Sequence, residues 1–392
     1  MRLKPITMAL LGLALLAPTL MKAAEPSFEV YGFAQLDAIQ DFNRVNPAWN
    51  ATLRPSRIPT TEGQYGSDGQ TILSVRQSRL GAQATLPING ETVFTKFEFD
   101  MFGVGGDEGQ TTIRLRHAYG QYKSLLAGQT NSLFMDGSIF PNTIDYWGPC
   151  GMVFLRNPQI RYTPISGETS FAVAIENPST DVDTGRLGEV DPAYADSIQG
   201  DSKYPDVSAQ FRKEGGWGHV QVAGLYRRLG YDSTISTGPK GHNTGWGVDL
   251  TSTIKVRAKD KLLLGVVYGE GIANYMNDGG MDLAPKNNVG KIESEAVPLV
   301  GISAYFDHTW NEKFTSSIGY SRTQVENTNF QTDSTFRYGQ YASGNLLYYP
   351  GKNVFYGAEY LWGTRKDKGG ASGSDQRIQL SANFKFSSKD FK

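Results

Sequence analysis

The 392-residue sequence contains one cysteine, Cys150. A single thiol excludes a disulfide framework within the chain and a cysteine-based structural zinc site. Charge of one sign is not in excess either. The chain has 38 Lys and Arg against 39 Asp and Glu, a net charge of −1, whereas a nucleic-acid binder needs a basic surplus. Only four histidines occur, His117, His219, His242 and His308. None of them opens an HExxH metal motif, and no GxSxG turn is present. After residue 24 no apolar run approaches the ~18 residues of a membrane helix. The longest, residues 262–268, suits a strand. Helical periodicity is absent throughout.

Glycine and aromatic residues are abundant, with 45 Gly, 20 Tyr and 20 Phe. That composition suits many strands and turns. Residues 1–24 combine the basic Arg2 and Lys4, an apolar stretch from Met8 to Ala17, and the small pair Ala23 and Ala24. They read as a secretory signal peptide, which leaves 25–392 as one domain.

That domain alternates with period two. Val93, Thr95, Phe97 and Phe99 interleave with Phe94, Lys96, Glu98 and Asp100, and Ile378, Leu380 and Phe384 interleave with Arg377, Gln379 and Lys385. Such alternation signals half-buried strands. Sixteen are expected, near 28–38, 73–86, 91–102, 111–122, 124–130, 153–164, 168–177, 205–213, 218–230, 243–257, 261–274, 295–310, 313–326, 333–349, 353–366 and 375–386. Tight turns such as Asn89-Gly90 and Pro350-Gly351 alternate with long links at 39–72, 131–152, 178–204, 275–294 and 367–374. Short turns at one end and long loops at the other describe an all-β, antiparallel, sixteen-stranded transmembrane barrel of the bacterial outer membrane. Closure follows because lipid leaves no sheet edge satisfied. Trp217, Trp246, Trp310, Tyr348, Tyr360 and Trp362 suit interfacial girdles. A soluble β-rich binding protein gives the same alternation, but neither the signal peptide nor the loop asymmetry.

With the apolar face in lipid, the other face lines a lumen. It carries Arg79, Lys96, Arg114, Arg116, Arg161 and Arg377 as a basic wall, with Glu98 and Asp100 among them. A charged ring at a constriction selects by sign of charge. The competing reading is that these charges pair and only satisfy the interior, as in a general-diffusion porin. Segment 131–152 is too apolar for an exposed loop. Folded inward as a constriction loop, it would bring Asp136 and Asp145 to face the arginines. Loop 178–204 holds six acids and Asp181-Val182-Asp183-Thr184-Gly185, only the opening of a Ca²⁺ loop, so a solvated acidic loop is the better reading. The glycine-rich 103–109 lacks dinucleotide spacing. A barrel enzyme would have to be built from His117 or His308 and a serine brought together through space. No cofactor or metal is called for. The partners are outer-membrane lipid and small anionic solutes, not nucleic acid.

Several segments resemble the DcaP-like trimeric outer-membrane porins: Arg76-Gln77-Ser78-Arg79-Leu80-Gly81, Arg114-Leu115-Arg116-His117-Ala118-Tyr119-Gly120, Leu126-Ala127-Gly128-Gln129-Thr130, Phe134-Met135-Asp136, Gln159-Ile160-Arg161-Tyr162-Thr163 and Val267-Tyr268-Gly269-Glu270-Gly271-Ile272. The resemblance runs from about Phe28 to Phe386. It implies a sixteen-stranded homotrimer with an inward constriction loop, taking up small solutes passively, dicarboxylates and other anions among them. Arg79, Arg116 and Arg161 take pore roles by that resemblance, and Asp136 falls in the matched loop. Two features depart from the family pattern. Only Glu25, Pro26 and Ser27 stand where family members can carry a periplasmic coiled coil, and the chain ends on Lys392 rather than an aromatic residue.

Overall fold

The computed structural model describes residues 25–103, 112–257 and 259–391. The signal-peptide segment and residues 104–109 of the glycine-rich loop lie outside the described residues. Twenty strands occur in chain order: β1 (Ser27–Asp41), β2 (Gln70–Ser74), β3 (Arg79–Ile88), β4 (Glu91–Gly103), β5 (Thr112–Tyr122), β6 (Leu125–Asn131), β7 (Arg156–Ile165), β8 (Thr169–Glu176), β9 (Ile198–Asp201) and β10 (Asp206–Gly215). They continue as β11 (Gly218–Ser233), β12 (Gly241–Lys255), β13 (Lys261–Glu270), β14 (Leu283–Asn288), β15 (Lys291–Ala296), β16 (Pro298–Thr309), β17 (Phe314–Val325), β18 (Phe336–Gly351), β19 (Val354–Asp367) and β20 (Ser372–Ser387).

Sixteen staves form the barrel. Each pairs antiparallel with its neighbours, and β1 closes onto β20 from Tyr31–Ser387 to Asp41–Arg377. Closure leaves no sheet edge, as lipid requires. The second stave is interrupted. Its upper piece β2 pairs with Asp37–Asp41 of β1 and its lower piece β3 with Ser27–Phe33. Between them a turn from Val75 to Ser78 points Gln77 into the lumen, where its amide donates to Asp37 (2.9 Å) and to the Ile144 carbonyl (2.8 Å).

Three strands lie outside the barrel. β9 pairs with the upper end of β11, and β14 with β15 forms a hairpin in the link between β13 and β16. Sequence reasoning read 178–204 and 275–294 as plain loops. Their strands are short and pair locally or on a stave's end, so no long alternation marks them.

The outer face carries exposed apolar residues in register, among them Leu80, Phe97, Leu125, Ile160, Val222, Val248, Leu250 and Leu380. The lumen departs from a uniformly polar lining. Leu225 on β11, Leu263 and Val267 on β13, Tyr305 on β16, Tyr341 on β18 and Leu361 on β19 are buried inside. They pack against Phe134, Met135, Ile139, Cys150 and Met152 of the segment 132–155, and against Ile272, Tyr275 and Met276. Residues 262–268 are therefore apolar on both faces, lipid outside and loop inside, which is the pattern of a doubly buried strand.

Candidate functional site

Segment 132–155 crosses the lumen and is fastened at successive points. The Ser132 hydroxyl and the Leu133 N–H donate to Glu176 at the end of β8 (2.9 and 3.1 Å). Asp136 meets His219 of β11 (2.6 Å), Thr251 of β12 (2.7 Å) and Arg212 of β10 (3.2 Å). Ile144 N–H donates to Glu359 of β19 (2.6 Å). The Asp145 carboxylate accepts from Thr52 Oγ1 (2.8 Å), Leu53 N–H (3.2 Å), Gly148 N–H (3.3 Å) and Tyr341 Oη (3.1 Å). Cys150 is buried against Ser321 and the Gly339 carbonyl, as a small packing residue rather than a reactive thiol. The inward fold matches the expectation. The roles given to Asp136 and Asp145 do not. Asp136 binds the wall opposite the arginines, and Asp145 is spent on anchoring the loop, because buried carboxylates must find donors.

The arginine wall is built by β3, β4 and β5. Register places Arg79 beside Asp100 and Asp100 beside Arg114. A bulge between Glu98 and Phe99 makes Arg116 the extra residue on β5, so Arg116 and His117 both turn inward and the face alternation reverses below them. Arg116 Nε contacts Glu98 (2.8 Å) and its Nη1 contacts Asp100 (2.9 Å). Arg114 contacts Asp100 (2.8 Å), while Lys96 and Arg79 reach Glu98 at 3.3 and 3.5 Å. Arg161, lower on β7, is held by Gln159 (3.0 Å) and the Asn131 carbonyl (2.6 Å). Among the described residues no carboxylate lies within 4.0 Å of its guanidinium.

Two residues complete the wall that sequence reasoning missed. Arg156, at the first position of β7, lies 4.7 Å over the Phe154 ring with Arg116, Arg114 and Arg79 among its charged neighbours. It too has no carboxylate within 4.0 Å among the described residues; alternation over 153–164 puts it in phase with Ile160 on the lipid face, but β7 only begins at Arg156 and the residue lines the vestibule instead. Tyr146 comes from the constriction loop. Its hydroxyl donates to Asp100 (2.9 Å), accepts from Arg116 (3.0 Å) and contacts Arg114, and its ring stacks on Phe102 with centroids 4.0 Å apart. The loop thus meets the basic wall through a phenol, not through a carboxylate.

Above the loop opens a vestibule of about 700 Å³, bounded by Arg54, Arg57, Arg114, Arg156 and Arg365 with Asp181, Asp183 and Asp278. Arg54 lies between the Trp49 and Trp147 rings (4.4 and 4.0 Å) and pairs with Asp278 (3.1 Å). Burial pulls its proton affinity below the ordinary arginine range, against the opposing pull of Asp278.

Arg377 is not a lumen cation. It is fully buried between Asp41 (2.9 Å) and Asp375 (2.9 Å) and donates to the Asn50 carbonyl (3.0 Å). Removing one member of a buried ion cluster costs about 3–5 kcal/mol. Arg377→Met is therefore expected to lower the urea midpoint of unfolding and leave ion selectivity as in the wild type. An altered reversal potential with unchanged stability would return Arg377 to the wall.

His117 bonds Thr130 and His308 bonds Asp260. They stand on different staves, and among the described residues neither is hydrogen-bonded to a serine. In the acidic loop, Asp183 is spent on Gly185 N–H and Gln331, and Asp201 on Lys203. Among the described residues no group of three metal-ligating side chains is found.

Comparison with known proteins closes the identification. No curated protein matches the chain. Among solved structures, the outer membrane channel DcaP of Acinetobacter baumannii shares 24% identity at a TM-score of 0.78, covering 92% of this chain and 97% of that one. The anion-selective porin from Comamonas acidovorans (10%, TM-score 0.56, 92% and 100% covered) and the trimer form of OmpT from Vibrio cholerae (11%, 0.55, 93% and 100%) share the fold. The first of these is a channel and the second a porin. The family model of the DcaP outer membrane protein matches residues 19–386. With the closed barrel and its inward loop, this establishes that the chain belongs to the DcaP outer membrane protein family and is a porin of the bacterial outer membrane.

Proposed function

We propose that this porin favours small anionic organic solutes, dicarboxylates among them, and that it works as a homotrimer whose N-terminal 24 residues direct export. One observation carries the anion preference. Arg79, Lys96, Arg114 and Arg116 converge on only two carboxylates, Glu98 and Asp100, and Arg156 stands beside them with no ion-pair partner within 4.0 Å among the described residues. Paired lumen charges of equal number give a neutral wall and little preference. Here the cations outnumber their partners, and the surplus faces a lumen narrowed by Tyr146. A cleft of one sign with low-dielectric walls concentrates counter-ions, and a charged constriction selects by sign. A dicarboxylate suits the arrangement because guanidinium forks match carboxylates geometrically. Passage needs neither cofactor nor energy input.

The experiment is a reversal potential in a planar bilayer under a KCl gradient. The expected result is an anion-selective current arriving in three equal steps per insertion, reduced by millimolar dicarboxylate. A cation-selective or unselective current would leave the porin and discard the basic wall.

A further inference from the structure

We propose that the outer face of the barrel, where β9, β11 and β12 meet above the lipid band, binds the phosphate headgroup of an outer-leaflet lipid. Arg228, His242, Lys240 and Lys203 are exposed around a cleft of about 240 Å³ completed by Asp201, Tyr204 and Tyr231. Arg228 points away from the lumen, since its neighbours Arg227 and Leu229 are buried inside. Its guanidinium rests 4.7 Å over the Tyr204 ring and meets His242 Nε2 at 3.1 Å.

Height places this cleft. On β11 and β12 the outward ladder is Val222 beside Leu250, Gly224 beside Val248, Tyr226 beside Trp246, Arg228 beside Thr244, and Gly230 beside His242. It is apolar, then aromatic, then cationic. Trp217, exposed at the turn below, and Tyr226, exposed near the top, stand nine residues apart. Nine residues rise roughly 30 Å along a strand, and a tilt of ~40° turns that into about 23 Å of height, close to the ~25 Å apolar band of outer-membrane barrels. Arg228 and His242 therefore sit just past the upper aromatic girdle, at headgroup depth.

The charge balance favours an anion. Lys203 is spent on Asp201 (2.6 Å). Among the described residues, no carboxylate lies within 4.0 Å of Arg228, Lys240 or His242. A phosphate on a lipid whose acyl chains cover Val222, Val248 and Leu250 satisfies both halves of the surface at once. The cations continue the lipid-facing ladder of the same two staves, so a phosphate carried by a membrane lipid reaches them from within the bilayer.

The test uses the purified full-length porin in detergent, titrated with diphosphoryl lipid A and followed by native mass spectrometry. The wild type is expected to retain lipid through the gas phase. The double variant Arg228→Ala/Lys240→Ala should retain it roughly twenty-five-fold less, since each surface cation facing an anionic lipid contributes about fivefold. Single-channel conductance checks that the variant is folded, because both positions lie outside the lumen. Dephosphorylated lipid A should bind the wild type no better than the variant. Equal retention by a conducting variant would overturn the proposal. So would displacement of bound lipid A by millimolar inorganic phosphate, which would make the cleft a site for free anions.

Discussion

Arg156→Glu is expected to lower the chloride-to-potassium permeability ratio by about tenfold or more. A unit charge at ~4 Å is worth about 1 kcal/mol in water and about 4 kcal/mol near a protein surface, and this exchange alters the local charge by two units. Arg156 is the sharpest probe because it has no acid partner within 4.0 Å among the described residues. Truncating Arg116 instead frees Glu98 and Asp100 as well, which mixes loss of a cation with release of two anions. The effect should shrink at high salt, since the screening length falls from ~30 Å at 0.01 M to ~3 Å at 1 M. Reversal potentials of Arg156→Glu, Arg156→Ala and the wild type, each at low and high KCl, decide the matter. An Arg156→Glu channel as anion-selective as the wild type would remove this residue from the filter.

The second large effect is expected from Asp145→Ala. Its carboxylate receives donors from Thr52, Leu53, Gly148 and Tyr341, which tie two inward loops and β18 to one point. Removing the acceptor strands four donors, and leaving the partners of a buried charge unsatisfied costs about 3–5 kcal/mol. The constriction loop should then detach locally, and with it Tyr146, one residue on. Single-channel recording should show larger, noisier conductance, and thermal unfolding should start lower. Asp145→Asn keeps one acceptor and should fall between. A quiet channel of wild-type conductance in Asp145→Ala would show that the loop is held elsewhere.

Legibility in the sequence follows the range of the forces. The sixteen staves are readable because a strand between lipid and lumen repeats its chemistry every second residue, and the turn at 89–90 punctuates that repeat; the turn expected at 350–351 falls two residues on, at 352–353. Lumen positions follow from the same alternation, which puts Arg79, Lys96, Glu98, Asp100, Arg114 and Arg116 on one face. The interrupted second stave was not readable, because its break answers a partner: Gln77 leaves the ladder to reach the Ile144 carbonyl and Asp37. The hairpin of β14 and β15 was missed for the same kind of reason, lying in a link with no long alternation of its own.

What the sequence by itself determined, then, is the barrel class and the lumen face of the regular strands. Both rest on local periodicity and on the requirement that lipid leave no backbone group unpaired. What only the tertiary structure decided is how those lumen charges are shared. Arg377 lies on the same face as Arg116, yet Asp41 and Asp375 enclose it, while Arg156, in phase with the lipid-facing Ile160, turns to the vestibule at the start of β7 and ends up without a carboxylate within 4.0 Å among the described residues. Asp145 and Tyr146 are adjacent in one loop, and the fold sends the first to Thr52 and Tyr341 and the second to Asp100 and the arginines. Pairing is a matter of a few ångströms between distant segments, and no period in the chain encodes it.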